Sequence, residues 1–362
     1  MITIAINGVN YSLFESATAT KQLDAASGSF RFQAVKTKTN LTFPIKKGDR
    51  CEIYADGNKI ITGFVERVSG SASSNNHQIT IEGRDKTADF IDSTIDVITF
   101  NPPISLKKAI EKVIQQIGAN ISVIDKVGPP DFKNSEDLPS SEVGDNAFEF
   151  VSKLAQKKQV LLTCDGNGNL VIDRSTGTRI NAQIRHQINS ENNNVTSSSW
   201  DFNDEKRFSR YKAVTQMNML AGEYAGDISS EDLTDQQSNV VIDSAIRRSR
   251  QFIFQTENLS GEQSANERTK WEANVRKTKG QIYSCTLPDF YVDGVFLVPN
   301  LLMRVIDDFA DINDLMLLNS IQYDYDGNNG SECLLNFVNK NSYKVALSEP
   351  QEEEVGNVFA NA

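Results

Sequence analysis

Hydrophobic and polar residues alternate with a period of two through most of the first 95 positions. Such runs cover residues 2–6, 29–34, 49–54, 59–69 and 77–83, the spacing of strands with one face buried. Asp56-Gly57-Asn58 supplies a hairpin turn between the third and fourth runs. This pattern predicts a small β-barrel-like domain over residues 1–95.

From residue 104 the period changes. Leu106, Ile110, Val113, Ile114 and Ile117 keep helical spacing and Gly118 ends the helix. A strand is expected at 121–124. A second helix is expected from a cap at Asp145, with Phe148, Val151, Leu154 and Ala155 on one face. A hairpin of 160–164 and 170–172 then turns at Asp165-Gly166-Asn167-Gly168. These segments predict a small α/β domain over 96–175.

Alternation returns over 176–345, the second β-barrel-like domain. Its inserted helix, 264–280, has a capping-box start at Ser264 and Glu267, and Trp271 and Val275 share a face. Gly280 is expected to end it in a left-handed conformation. Strands follow at 281–287, 295–298, 301–306, 315–325 and 332–338, with turns such as Asp293-Gly294 and 326–330. Strands between 200 and 256 are expected to complete this barrel. Residues 346–362 carry Glu352-Glu353-Glu354 and read as an acidic tail that is disordered or docks on a partner. The fold class is thus mainly β (α+β), two β-barrel-like domains separated by a small α/β domain.

Composition narrows the chemistry. A net charge of −11 argues against a sequence-independent nucleic-acid binder, which needs a basic footprint. Mean hydropathy is −0.40, no apolar run is long enough to span a bilayer, and the N-terminus lacks a signal-peptide pattern. Cys51, Cys164, Cys285 and Cys333 lie far apart in strand-like runs and read as small buried hydrophobes. His77 and His186 have no companion at metal spacing and read as surface residues. The acidic turns at 165–169 and 324–328 approach a calcium loop, but Leu170 and Asn329 stand where that loop needs glycine. No metal, cofactor or catalytic set is expected.

The charged turn Arg84, Asp85, Lys86, Asp89 reads as locally paired surface charge. Aromatic and basic residues interleave over 200–213, where Tyr211 and Ala213 should face a core and the cations water. Arg247, Arg248 and Arg250 form a local basic cluster suited to water or an acidic partner. Arg84, Lys86 and those three arginines are the interface candidates.

The order of these segments resembles the baseplate hub proteins of contractile-tail phages, particularly the Mu-like tail proteins of the late control protein D type. The resemblance rests on 62–66 with 83–89, on 148–154 with the hairpin at 166–172, and on 265–280 running into 283–288. Residues 298–300, 305–308 and 315–325 extend it. It also covers the N-terminal part of type VI secretion spike proteins. It implies a structural virion protein of the tail baseplate, present in the host cytoplasm during assembly, with no direct membrane insertion. A ring-shaped homotrimer would join the tail tube to a separate cell-puncturing spike and contact other baseplate proteins. DNA would pass through the channel without specific binding.

Two alternatives come from other classes. A glycan hydrolase would draw on Asp307 with Asp308 or on Asp311 with Asp314, as paired carboxylates. A carbohydrate-binding adhesin would need exposed aromatic platforms, whereas Trp200 and Trp271 read as structural.

Overall fold

The computed structural model describes residues 1–11, 14–35, 45–73, 77–135, 138–174, 177–215, 240–247, 249–256 and 262–342. Its first strands are β1 (Ile2–Ile6), β2 (Val9–Tyr11), β3 (Ser16–Gln22), β4 (Ser29–Val35), β5 (Arg50–Ala55), β6 (Asn58–Ala72) and β7 (His77–Asp85). The period of two works as expected: Ile2, Ile4, Ile6, Ala17, Ala19, Phe30 and Phe32 are buried. Asn7-Gly8 and Asp56-Gly57 both take positive φ at the two turn positions, which tightens each hairpin with the right-handed twist of its strands.

The middle segment holds α1 (Ala88–Asp92), β8 (Thr94–Ile95), α2 (Leu106–Ile117), β9 (Val123–Asp125), β10 (Asp145–Asn146), α3 (Ala147–Lys157), β11 (Leu161–Cys164) and β12 (Leu170–Asp173). Ser105 Oγ accepts from Lys108 N and Gly118 closes α2 at φ 70°. The cap of α3 is Asn146, not Asp145: Asn146 Oδ1 accepts from Glu149 N, while Asp145 Oδ2 is taken by Glu142 N. Strand β12 pairs antiparallel with β11 and parallel with β9. The two longer helices cover this sheet, and Leu106, Ile110, Val113, Phe150, Val151 and Leu154 form its own buried cluster.

The remainder comprises β13 (Thr178–His186), β14 (Ser197–Phe202), β15 (Arg210–Thr215), β16 (Val240–Ile242), β17 (Gln251–Thr256), α4 (Glu262–Lys279) and β18 (Gln281–Leu287). Then come β19 (Tyr291–Val292), β20 (Val295–Phe296), β21 (Leu301–Asp307), β22 (Ile312–Asp326) and β23 (Gly330–Asn339). Three expectations change here. Helix α4 begins at Glu262, so Ser264 lies inside it rather than at its cap. Gly280 ends it without a positive φ; glycine is required because a Cβ would sit 2.3 Å from the Asn203 carbonyl oxygen. Strands β15, β16 and β17 form a separate three-stranded sheet under α4, whereas β13 and β14 join the strands after Gly280.

The largest correction concerns the two barrels. Thirteen strands form one sheet, with the path β14-β18-β23-β22-β3-β4-β7-β6-β5-β1-β2 and β13-β21 attached to β22. Strand β22 makes this possible because it is 15 residues long. Its first half pairs with β21 and its second with β3, Ser320 opposite Gln22 through Asp326 opposite Ser16. The β-regions from the two ends of the chain therefore share a sheet and one buried cluster, from Ile2 and Phe32 to Tyr283 and Phe337. Among the described residues the sheets do not close into barrels. The predicted tail, 346–362, lies outside the described residues.

Candidate functional site

Two buried polar centres hold the architecture together. The first is Asp85, at the end of β7, with a fully buried side chain. Its Oδ2 accepts from Lys21 Nζ (3.0 Å), Gly28 N (2.8 Å) and Cys164 Sγ (3.2 Å), and its Oδ1 from Thr62 N (3.2 Å). Lys21 Nζ also lies 2.9 Å from Cys164 Sγ. Burial works against the lysine charge, but Cys164 and Asp85 beside it hold its pKa above the ordinary value. Burial pushes the Cys164 thiol up to about 12. The 165–168 turn seats on β6, where Thr62 Oγ1 donates to Gly166 O (2.8 Å). The centre thus locks the α/β segment to the large sheet. Asp85 was expected at the surface; a charged turn in sequence gives no signal that one of its carboxylates points inward.

The second centre is Asp307, on β21, also fully buried. Tyr283 Oη donates to its Oδ2 (2.7 Å), and Phe309 N and Ala310 N donate to its Oδ1 (2.8 and 3.0 Å). His186 Nδ1 lies 3.1 Å from Oδ2 and 3.0 Å from Ser198 Oγ. Burial raises the cost of the carboxylate charge, but the donors from Tyr283, Ser198, Ala310 and His186 outweigh it and leave the group below the ordinary carboxylate range. His186 is therefore partly buried and paired, not a free surface histidine.

Serine, histidine and aspartate here do not form a proton relay. Such a relay uses both ring nitrogens, one toward the carboxylate and one toward the hydroxyl; here Asp307 and Ser198 share Nδ1. The residues come from β13, β14, β18 and β21, so the cluster pins β13 to β14 where no ladder joins them. Three of the four candidate carboxylates have structural partners. Asp307 is occupied by structural donors, Asp308 Oδ2 accepts from Ile188 N, and Asp314 meets Lys340. No group of three or more metal-ligating side chains occurs among the described residues. The acidic turns are hairpin turns: Asp165 Oδ1 accepts from Asn167 N and Asn169 N, and Asp326 Oδ1 from Asn328 N and Asn329 N.

The interface candidates fall in different places. Arg84 binds Glu66 and Asp92, the local pairing expected of that turn. Lys86 is half-buried beside Gly168. Arg247 is exposed, and Arg248 lies outside the described residues. Arg250 reaches the carbonyls of Asp204 and Glu205 and lies over the Phe208 ring. Tyr211 and Ala213 face the core as expected, whereas Trp200 and Phe202 are 45% and 52% exposed. The period of two placed them on the core side; it carried no information on whether the core reaches that far.

The solvent face of the large sheet is polar and bonded to itself across strands. Ser284 Oγ donates to Asn336 Oδ1 (2.6 Å), and Asn336 Nδ2 to Ser320 Oγ (2.8 Å). Thr18 Oγ1 and Gln322 Nε2 both donate to Asp324 (2.6 and 2.8 Å), across the β22–β3 junction. Arg31 and Arg67 share Glu82.

Residues 1–85 match the family described as Mu phage baseplate assembly protein GpP-like, N-terminal. Baseplate hub protein gp44 of Escherichia phage Mu is 22% identical over 310 residues, 84% of this chain and 78% of that protein. The 43 kDa tail protein of prophage MuSo2 from Shewanella oneidensis has the same fold, with a TM-score of 0.75 at 24% identity over 95% of this chain and 99% of that one. An Escherichia coli type VI secretion component shares it more loosely, with a TM-score of 0.52 at 10% identity over 93% and 76%. Along most of its length the chain resembles the structural baseplate and tail proteins of Mu-like phages, and its first 85 residues carry the GpP-like N-terminal domain.

Proposed function

We propose that this chain is a central baseplate hub, a ring-shaped homotrimer that joins the tail tube to a cell-puncturing spike. The observation that carries this reading is its likeness to a baseplate hub over 84% of its length. The fold is compatible. A sheet shared by both β-regions, with buried polar centres fixing the α/β segment and the β13–β14 seam, makes a stiff block suited to carrying load. The division into 1–95, 96–175, 176–345 and 346–362 belongs to this reading, and the separate buried cluster of the α/β segment supports it.

The self-bonded polar face suits a channel wall. Arg31, Arg67 and Arg84 on it meet Glu82 and Glu66, which lowers what they offer to phosphates and supports passage of DNA without specific binding. No helix among the described residues is long and apolar enough to cross a membrane. The protein would act in the virion baseplate after assembly in the host cytoplasm, against tube, spike and other baseplate proteins. Arg84, Lys86, Arg247, Arg248 and Arg250 remain its interface candidates.

Light scattering coupled to size exclusion tests the reading. The expected mass is that of three 40.2 kDa chains, with a central hole in projection images. A monomer at all concentrations that also forms no ring with tube and spike proteins would refute it. The exposed Trp200 and Phe202 favour a carbohydrate-binding alternative, which a glycan array would detect.

A further inference from the structure

At the joint between the large sheet and the α/β segment, an amine is held against a thiol. Lys21 stands on β3 and Cys164 ends β11, 143 positions apart in the chain. Three acceptors fix the lysine nitrogen: Cys164 Sγ at 2.9 Å, Asp85 Oδ2 at 3.0 Å and Asp165 O at 3.4 Å. An ammonium has three protons to donate, so each finds an acceptor and the nitrogen stays beside the sulfur. The lysine stem fills the space at Gly28, where a Cβ would come within 2.7 Å of Lys21 Cδ. Cys333 is differently placed, since its thiol donates to the Asp289 carbonyl (3.0 Å).

The same centre can be reached from outside. A cleft of about 310 Å³ is lined by Lys21, Lys59, Cys164, Gly166 and Asn300. A water occupies about 30 Å³ in the liquid, so the cleft admits hydrogen peroxide, a small neutral oxidant.

We propose that peroxide joins Lys21 to Cys164 through a covalent S–N bond, a reversible staple between the α/β segment and the large sheet. In the first step the thiol and one hydrogen peroxide give a sulfenic acid and water. That step is the whole oxidation: sulfur loses two electrons and peroxide gains them. Lys21 then gives a proton to the Asp85 carboxylate, and its lone pair attacks the Cys164 sulfur. The S–O bond breaks, and the departing hydroxide takes a second amine proton and leaves as water. One proton stays on the linked nitrogen. Two equivalents of an added thiol restore the free amine and thiol and become a disulfide.

The thiolate is the form that attacks peroxide, and burial holds Cys164 at about 12. The link should therefore form slowly at neutral pH, and about tenfold faster for each pH unit gained between about pH 7 and 9.

The test treats the purified full chain with hydrogen peroxide and follows intact mass and peptide maps. The expected product is a chain lighter by two hydrogens, with the peptide carrying Lys21 joined to the peptide carrying Cys164. Dithiothreitol should reverse it, and chains treated in denaturant should not form it. A folded Lys21→Arg or Cys164→Ser variant should lack it; should either fail to fold, fragmentation of the linked wild-type peptides still assigns the two atoms. The linked chain should unfold at a higher denaturant concentration than the reduced one, because the link closes a long loop in the unfolded state. Cys164 left unchanged, or oxidised to a sulfinic acid with Lys21 free, would overturn the proposal. So would a link whose removal by reductant leaves the unfolding midpoint where it was.

Discussion

Tyr283 Oη lies 2.7 Å from Asp307 Oδ2, inside the fold and between strands β18 and β21. That bond fastens the side of the β-region where β13 and β14 meet without a ladder. Hydrogen bonds to a buried charge contribute about 1.5–3 kcal/mol each. Tyr283→Phe should cost that much in a denaturant titration. Asp307→Ala should cost more, because it strands Tyr283, Phe309 N and Ala310 N together. Equal, small losses for both would mean the seam is held by packing alone.

Acid should weaken the same seam. The folded pKa of Asp307 lies below its ordinary value of 3.8. Its contribution is therefore fully present above about pH 4 and is lost as pH falls through the folded value. Wild-type stability should drop below pH 4 more steeply than that of Asp307→Asn, which cannot titrate. Parallel acid profiles for the two proteins would show that the carboxylate is not the titrating group.

Lys21 and Asp85 form the other buried pair, and breaking one partner of such a pair costs about 3–5 kcal/mol. Lys21→Met should destabilise by this order, since it leaves Asp85 with backbone and thiol donors alone. Lys21→Met with Asp85→Asn should recover part of the loss. A double variant that loses the sum of the two single losses would mean that the side chains act independently.

Much of this fold was legible in the sequence, and the missing parts share one cause. Alternation located most strands, Gly118 marked a helix end, and the Asp-Gly turns marked hairpins. All four cysteines are buried, as their strand-like settings implied. A period of two states which side a residue faces, but not which strand lies beside it. The pairing of β22 with β3, and of β13 with β21, was therefore invisible, and two separate barrels were expected where one sheet runs through. The same blindness hid Asp85, Asp307 and His186. Their partners Lys21, Cys164 and Tyr283 are distant in the chain, so no local motif announces either centre. Trp200 and Phe202 had the right spacing for a core that ends before reaching them.

Gly166 offers a sharper probe of the joint between the α/β hairpin and the sheet. A Cβ there would lie 2.3 Å from the Lys59 carbonyl oxygen, and backbone cannot yield as a side chain can. Overpacking of this kind costs about 1–3 kcal/mol. Gly166→Ala should lower the thermal midpoint and increase hydrogen exchange in β11 and β12 before the β18–β23 pair. Uniform exchange throughout the chain would mean that the two parts unfold as one unit.

Base should act through the buried thiols. Burial pushes Cys51, Cys164 and Cys333 up to about 12, and raises Cys285 well above its ordinary value. The unfolded chain ionises these groups near the ordinary thiol value of 9.0, while the folded chain keeps its protons. Stability should therefore fall as pH rises above 9, by about 1.4 kcal/mol per pH unit for each group that lags. At neutral pH a thiol reagent should leave all four cysteines unmodified until denaturant is added. Rapid native-state labelling at Cys164 would mean that the joint around Asp85 opens readily. The α/β segment would then be a mobile arm on the sheet rather than part of a rigid block.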